Sequence, residues 1–428
     1  MPTTPNAEFF TALFLAMVAL SLVLRLWLTA RQLQHVAARR GAVPDEFSNR
    51  VSLAAHQKAA DYTAARSRFG ILGTLIDSAL LLALTVGGGL QWLHAFWSGQ
   101  LGAYLNDYSY GIALIFSVLA ISSLIDLPFS LYRQFVIEEK FGFNRMSLGL
   151  FFGDLLKNTL IGAAIGTPVL LAVLWMMAKL GANWWLDVWL FWSVFNLLIL
   201  FIYPTWIAPL FNKFSPLPEG ELKSRIEALL ARCGFASGGL FVMDGSKRSA
   251  HGNAYFTGFG NSKRIVFFDT LLERLTPPEI EAVLAHELGH FKHRHVLKRI
   301  VSLFALSLAF LWLLGQLIAA PWFYAGLGVH AGNTALALTL FFLALPAFTF
   351  PLTPIGSYLS RRHEFEADAY ASTHADADEL ARALVKLYEE NASTLTPDPL
   401  HSLFYDSHPP ASIRLAHLSQ LKAADHVA

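Results

Sequence analysis

Two histidines four residues apart with a glutamate beside the first, His286-Glu287-Leu288-Gly289-His290, are the residues of this 428-residue chain best suited to chemistry. Positions i and i+4 of an α-helix share a face, so both imidazoles can converge on one ion. Glu287, about 100° around the helix, can reach a water held by that ion. These are the residue types of a zinc hydrolase. A catalytic zinc keeps three protein ligands and one open position, so a third ligand must come from elsewhere. Ser360-Arg361-Arg362-His363-Glu364-Phe365-Glu366-Ala367-Asp368 offers one. Glu364 and Asp368 are again i and i+4. One face can therefore present Glu364 to the metal and Asp368 to the free N–H of a liganding imidazole, with Glu366 turned elsewhere. Spacing alone leaves His363 and Glu366 as competitors, and a solvated charged face as the alternative to any metal site. His293 and His295 continue the first helix on faces other than that of His286 and His290, which predicts that both are exposed. The single cysteine, Cys233, excludes an intramolecular disulfide and a cysteine-based zinc site.

The elements that must position these residues are marked in the sequence. Thr276, Pro277 and Glu279 form a capping-box start for the helix carrying the two histidines. Before it, Glu219 to Cys233 has helical periodicity, and Leu240 to Met243 and Arg264 to Phe268 read as short strands. Tyr255 to Phe259 reads as a hairpin partner of the latter, turning through Gly260, Asn261 and Ser262. Most of the rest is apolar. The chain is 54% hydrophobic and only 15% charged, against about 25% charged in soluble domains, and its net charge of +1 gives no reason to expect a nucleic-acid partner. Seven stretches are long enough to cross a bilayer: Phe9 to Leu28, Ile71 to Phe96, Tyr110 to Leu131, Leu160 to Leu180, Trp185 to Leu210, Ile300 to Ala320 and Leu336 to Tyr358. The first has no basic residue before it and reads as a retained helix rather than a cleaved signal. Asp77 and Asp126 fall inside spans, where ionisable groups line water-filled or functional cavities.

Lys and Arg concentrate after the first and third spans and are absent from the amino-terminal tail, from 97–109 and from 321–333. The charge bias therefore puts the amino terminus outside, and the polar segment and the carboxy-terminal tail together on the cytoplasmic side. The chain divides into 1–211 with five spans, 212–299 with the HExxH, 300–359 with two spans, and 360–428 with the third ligand.

Several motifs together resemble the type I CAAX prenyl protease family of integral-membrane zinc metalloproteases. They are Phe135-Val-Ile-Glu-Glu-Lys-Phe-Gly-Phe-Asn-Arg145, His251-Gly-Asn-Ala-Tyr-Phe256, Arg264-Ile-Val-Phe-Phe-Asp-Thr-Leu-Leu272, the HExxH, the Ser-Arg-Arg-x-Glu-Phe-x-Ala-Asp segment and Ser407-His-Pro-Pro410. The resemblance implies an α-helical membrane protein in which seven helices enclose an intramembrane chamber, with an α+β, gluzincin-like protease domain on the cytoplasmic side. It favours Glu364 as the third ligand of one Zn2+, with Asp368 supporting it. It gives His408 the role of oxyanion donor and pairs it with Arg414, and it makes Asn253, Ala254 and Tyr255 an edge strand for an extended peptide. The implied substrate is a peptide or protein, in particular a prenylated CAAX C-terminus. The short tail and uninterrupted loops look bacterial, which suggests a bacterial inner membrane, with the endoplasmic reticulum as the eukaryotic alternative. Turnover of membrane proteins by an HtpX-type protease is the alternative activity. A multispan transporter or scaffold with structural zinc is the alternative of another class; it would need no base at Glu287.

Overall fold

A computed structural model of the chain describes residues 5–100, 106–257 and 263–425. The first half is helical: α1 (Pro5–Arg39), α2 (Leu53–Leu84), α3 (Gly89–Gln100), α4 (Asp107–Tyr132), α5 (Leu148–Lys179) and α6 (Trp184–Ile202). All but the short α3 are long and apolar enough to cross a membrane. Polar residues set three of the starts. The side chains of Ser52, Asn106 and Ser147 accept the backbone N–H groups of Ala55, Ser109 and Leu150, which would otherwise be unpaired in the first turn. The second expected span, Ile71 to Phe96, is two helices. The chain turns after Leu84 through Gly88 at φ +80°, a conformation that a side chain would oppose. Helices α2 and α5 start well before their apolar runs. At 32 residues each they span about 48 Å, so turns beyond the hydrocarbon reach the polar part of the molecule.

That part begins with β1 (Phe214–Pro216), α7 (Glu221–Arg232), β2 (Leu240–Met243), β3 (Ala254–Thr257), β4 (Arg264–Phe268), α8 (Asp269–Leu272) and α9 (Pro277–Lys292). Strand β1, three residues ending in proline, gave no signal in the sequence. The strands order as β1-β2-β4-β3, with β2 parallel to β4 and the other pairs antiparallel. The expected hairpin partner of β4 is therefore present as β3, at an edge of the sheet, while residues 258–262 of its turn lie outside the described residues. One face of the sheet buries Ile265 and Phe267 against α7 and α9 through Ile226, Leu229, Ile280 and Leu284, and the α1–α2 connection adds Phe47 to this core.

The remainder is α10 (His295–Leu317), α11 (Pro321–Gly326), α12 (Thr334–Thr349), α13 (Thr353–His374), α14 (Ala377–Glu390), α15 (Pro399–Tyr405) and α16 (Ala411–Asp425). The sixth span is α10, and the seventh is α12 running on into α13. The α12 end is the centre of the bundle: 56% of the apolar window of that span is buried, against 6 to 22% for the other six, whose outer faces are left for lipid. A cavity of about 690 Å3 lies among α1, α2, α4 and α12, and Asp77 and Asp126 are in its wall, which accounts for two carboxylates in apolar spans.

Three polar contacts bind the spans to the polar part. Arg31 of α1 forms a paired contact with Asp398, the N-cap of α15. Asp154 of α5 takes Nε and Nη2 of Arg248 at 2.8 and 3.0 Å. Glu138, just past α4, accepts the Tyr62 hydroxyl and sits 3.6 Å from Nε2 of His251, whose ring stacks on Phe143. The last contact brings the segment around Glu138 against the one that leads into β3.

Candidate metal centre

Helix α9 starts at the expected capping box, where Glu279 Oε2 accepts the Thr276 N–H at 2.7 Å. It packs along α13 at unusually short range because of Gly289. A Cβ there would lie 2.9 Å from Cα and 3.0 Å from the carbonyl oxygen of Ala367. The absence of that one carbon, with the small buried Ala367 and Ala371 opposite, lets the two backbones approach until their polar side chains meet.

At that crossing, Nε2 of His286 and Nε2 of His290 stand 3.2 Å apart, and each lies 3.4 Å from one oxygen of Glu364. Among the described residues this is the group of three potential donors close enough to share one ion, with all the ligand atoms within 4.8 Å of one another. Glu364 is 3% exposed, and its Oε2 is buried without a hydrogen-bond partner. Nε2 of His286 and Nη1 of Arg414 stand 3.4 Å from that oxygen without hydrogen-bonding to it, so the donor set and the incompletely satisfied carboxylate fit a divalent metal. His363 and Glu366, equal candidates by spacing, point away from the cluster.

Behind the cluster, Asp368 is fully buried, with one oxygen 2.8 Å from Nδ1 of His286. Its other oxygen accepts Nε of the buried Arg414 at 2.9 Å, and Arg414 Nη1 lies 3.4 Å from Glu364. Burial works against charge on the His286 ring, yet Asp368 and Glu364 outweigh it and raise the pKa to about 9. Burial likewise opposes the charge of Arg414, and Asp368 restores it, leaving the guanidinium pKa above its usual value. Glu287, half-buried beside the cluster, makes no hydrogen bond or ion pair among the described residues.

His408 faces the same centre. Its Nε2 is 3.4 Å from Glu364 Oε1 and its side chain is 61% exposed, open to an incoming ligand. Burial of part of the ring lowers its pKa, against the pull of Glu364. Two residues whose sequence context gives them no role hold this loop. Arg361 Nη1 donates to the carbonyls of Ser402 and Asp406, and Tyr388, whose pKa is pushed up to about 12 by burial, donates to the Pro409 carbonyl at 3.5 Å. Arg361 lies in the quoted Ser-Arg-Arg segment, but its use is a long-range fact. Asn253 is exposed just before β3, and its side-chain oxygen accepts the Ala254 N–H. Ala254 and Tyr255 begin that edge strand. No hydrogen bond among the described residues joins these three to the cluster.

One expectation fails. His293 is exposed as expected, but His295 is 3% exposed, not solvent-facing. Helix α9 does not continue through it. Arg294 takes the left-handed conformation, φ 56° and ψ 34°, and His295 opens α10 with its ring turned back onto His290. A non-glycine residue there gives no sequence signal, because left-handed breaks are usually marked by Gly or Asn.

Residues 32–213 match the family model of the CAAX prenyl protease N-terminal region with five membrane helices, and residues 216–422 match that of peptidase family M48. The CAAX prenyl protease 1 homolog of Arabidopsis thaliana is 35% identical over 404 residues, covering 91% of this chain and 92% of that protein. CAAX prenyl protease 1 of Saccharomyces cerevisiae is 34% identical, over 92% of this chain and 91% of its own. The crystal structure of S. mikatae Ste24p superposes with a TM-score of 0.87 at 33% identity, covering 98% of this chain and 100% of that one.

Proposed function

Because the chain belongs to peptidase family M48, among the CAAX prenyl proteases, we propose that His286, His290 and Glu364 hold one zinc ion in this multi-pass membrane metalloprotease, and that its substrate is the C-terminus of a prenylated CAAX-type protein. The observation carrying the reading is the convergence of two imidazole Nε2 atoms on a buried glutamate whose Oε2 makes no hydrogen bond, with the unengaged Glu287 alongside. Bound there, zinc supplies a Lewis acid that brings the pKa of a water toward about 7 and polarises the scissile carbonyl. Glu287 takes the proton of the attacking water and returns it to the leaving amine. His408 donates to the carbonyl oxygen as its charge grows, and Arg414 with Asp368 keeps His286 and Glu364 in register. The edge strand β3, opened by Asn253, pairs with the extended substrate backbone. The bias of Lys and Arg supports a cytoplasmic site and an outside amino terminus. We place the protein in a bacterial inner membrane, with the chain organised as 1–211, 212–299, 300–359 and 360–428.

The test is cleavage of a prenylated CAAX peptide and its unprenylated counterpart by the purified protein, its Glu287→Ala variant and a chelator-treated sample. The expected result is release of the last three residues by untreated wild type, lost on chelation and restored by zinc. Glu287→Ala should keep its zinc and lose at least 100-fold in rate. Wild-type activity in Glu287→Ala would overturn the mechanism, and equal cleavage of the two peptides would overturn the lipid-dependent substrate in favour of general membrane-protein turnover.

A further inference from the structure

The two imidazoles of the centre are backed differently. Behind His286 stands the buried carboxylate of Asp368. Behind His290 stands another histidine: Nδ1 of His290 is 2.9 Å from Nδ1 of His295, and Nε2 of His295 is 2.9 Å from Oε2 of Glu366. The His295 ring is fixed in plane by stacking on His363, with centroids 4.0 Å apart and planes 15° from parallel. Glu366 is itself met by Arg362, 3.3 Å from its other oxygen.

Two nitrogens 2.9 Å apart must share a single hydrogen, since two lone pairs or two N–H groups would repel at that distance. A neutral imidazole that gives Nε2 to a metal carries its hydrogen on Nδ1. The direction of the chain follows: His290 Nδ1–H donates to His295 Nδ1, His295 carries its own hydrogen on Nε2, and that hydrogen goes to the Glu366 carboxylate. Every tautomer is fixed and every contact is used.

We propose that His295 and Glu366 are positioning residues for the metal centre, a relay through which Glu366 fixes the tautomer and orientation of His290. The inference rests on the zinc reading above and deepens it. Glu366 was one of the residues that spacing offered as a ligand; here it acts on the metal two hydrogen bonds away. The break at Arg294 gains a use, because only a chain that leaves α9 there can turn His295 back under His290.

The experiment measures zinc content and the rate of zinc loss to a chelator in the full-length protein in detergent, with thermal unfolding as the check on folding. Variants are His295→Ala, His295→Gln, Glu366→Ala and the double variant His295→Ala with Glu366→Ala. Loss of an outer partner weakens metal binding by about 10- to 100-fold, so His295→Ala and Glu366→Ala are each expected to speed zinc loss by that factor. The double variant should lose no more than His295→Ala alone, because one chain is cut twice. His295→Gln, whose amide can accept from His290 and donate to Glu366, should recover most of the loss. In the cobalt-substituted protein, the visible band should shift in His295→Ala and return in His295→Gln. Unchanged zinc loss in Glu366→Ala would overturn the relay. So would a folded His295→Gln no better than His295→Ala, or two zinc ions in wild type of which one depends on His295. Wild type without zinc would instead defeat the reading on which the relay rests.

Discussion

Asp368 and His295 show why, in the proposed centre, the ligands are only part of the design. Each liganding ring has a second nitrogen, and what that nitrogen meets decides whether the first one points at the metal. Asp368 meets Nδ1 of His286 as a fully buried acceptor and is itself held by Arg414. Replacing one of its oxygens by an amide nitrogen offers a donor in its place. Asp368→Asn is therefore expected to weaken zinc binding by about 10- to 100-fold and to lower cleavage at limiting zinc, with part of the activity returning at high zinc. Zinc titration followed by the cleavage rate measures both. Glu364 is set apart from His363 and Glu366 by position alone. The residue types were equal in the sequence, and what separates them is which face of α13 lies against α9.

The crossing of α9 and α13 is where elements decide the chemistry. Gly289 stands inside the HExxH, yet its use is neither ligation nor flexibility: a Cβ would meet the Ala367 backbone at 2.9 Å. Gly289→Ala adds one carbon to a contact with no room, so the helices must part by a few tenths of an ångström or more. Overpacking of this kind costs about 1–3 kcal/mol. Because the displacement separates Glu364 from both histidines, Gly289→Ala should lose zinc affinity as well as thermal stability, although it touches no ligand atom. A thermal melt with and without added zinc tests this: the stabilisation that wild type gains from zinc should shrink in the variant. The capping box was legible because it is local, three residues read in order. The close approach of α13 was not, because nothing near Gly289 in the chain announces what will lie across from it.

At the scale of the whole molecule, the centre is suspended from the membrane bundle. Helix α9 leads into the sixth span through two residues, His293 and Arg294, and α13 continues the seventh. The tail that carries His408 is fastened to α1 at Asp398, which accepts Arg31 and offers its own N–H to Gln32 at 2.6 Å. Burial alone would favour the protonated acid, but Arg31 and the His401 N–H outweigh it and hold the Asp398 pKa below its ordinary value. The stability from this contact is thus complete above about pH 4, the unfolded value, and is lost as pH falls through the lower folded value. Asp398→Ala is expected to cost about 1–3 kcal/mol at neutral pH and to reduce the cleavage rate by loosening the Tyr405-to-His408 loop; the difference in melting temperature from wild type should vanish only in strong acid. The sequence by itself determined the parts whose signals are local or compositional. Seven spans follow from apolar length, the two histidines on one helix face from i and i+4 spacing, the strands β2 and β4 from their residue types, and the family from motifs spread along the chain. Only the tertiary structure placed Glu364, rather than His363 or Glu366, against the two histidines, and showed that Gly289 serves a helix crossing and that His295 is buried. Each of these depends on contacts between segments far apart in the chain or on a single left-handed residue. Periodicity describes a helix only until its backbone turns, and it carries no information about the helix packed against it.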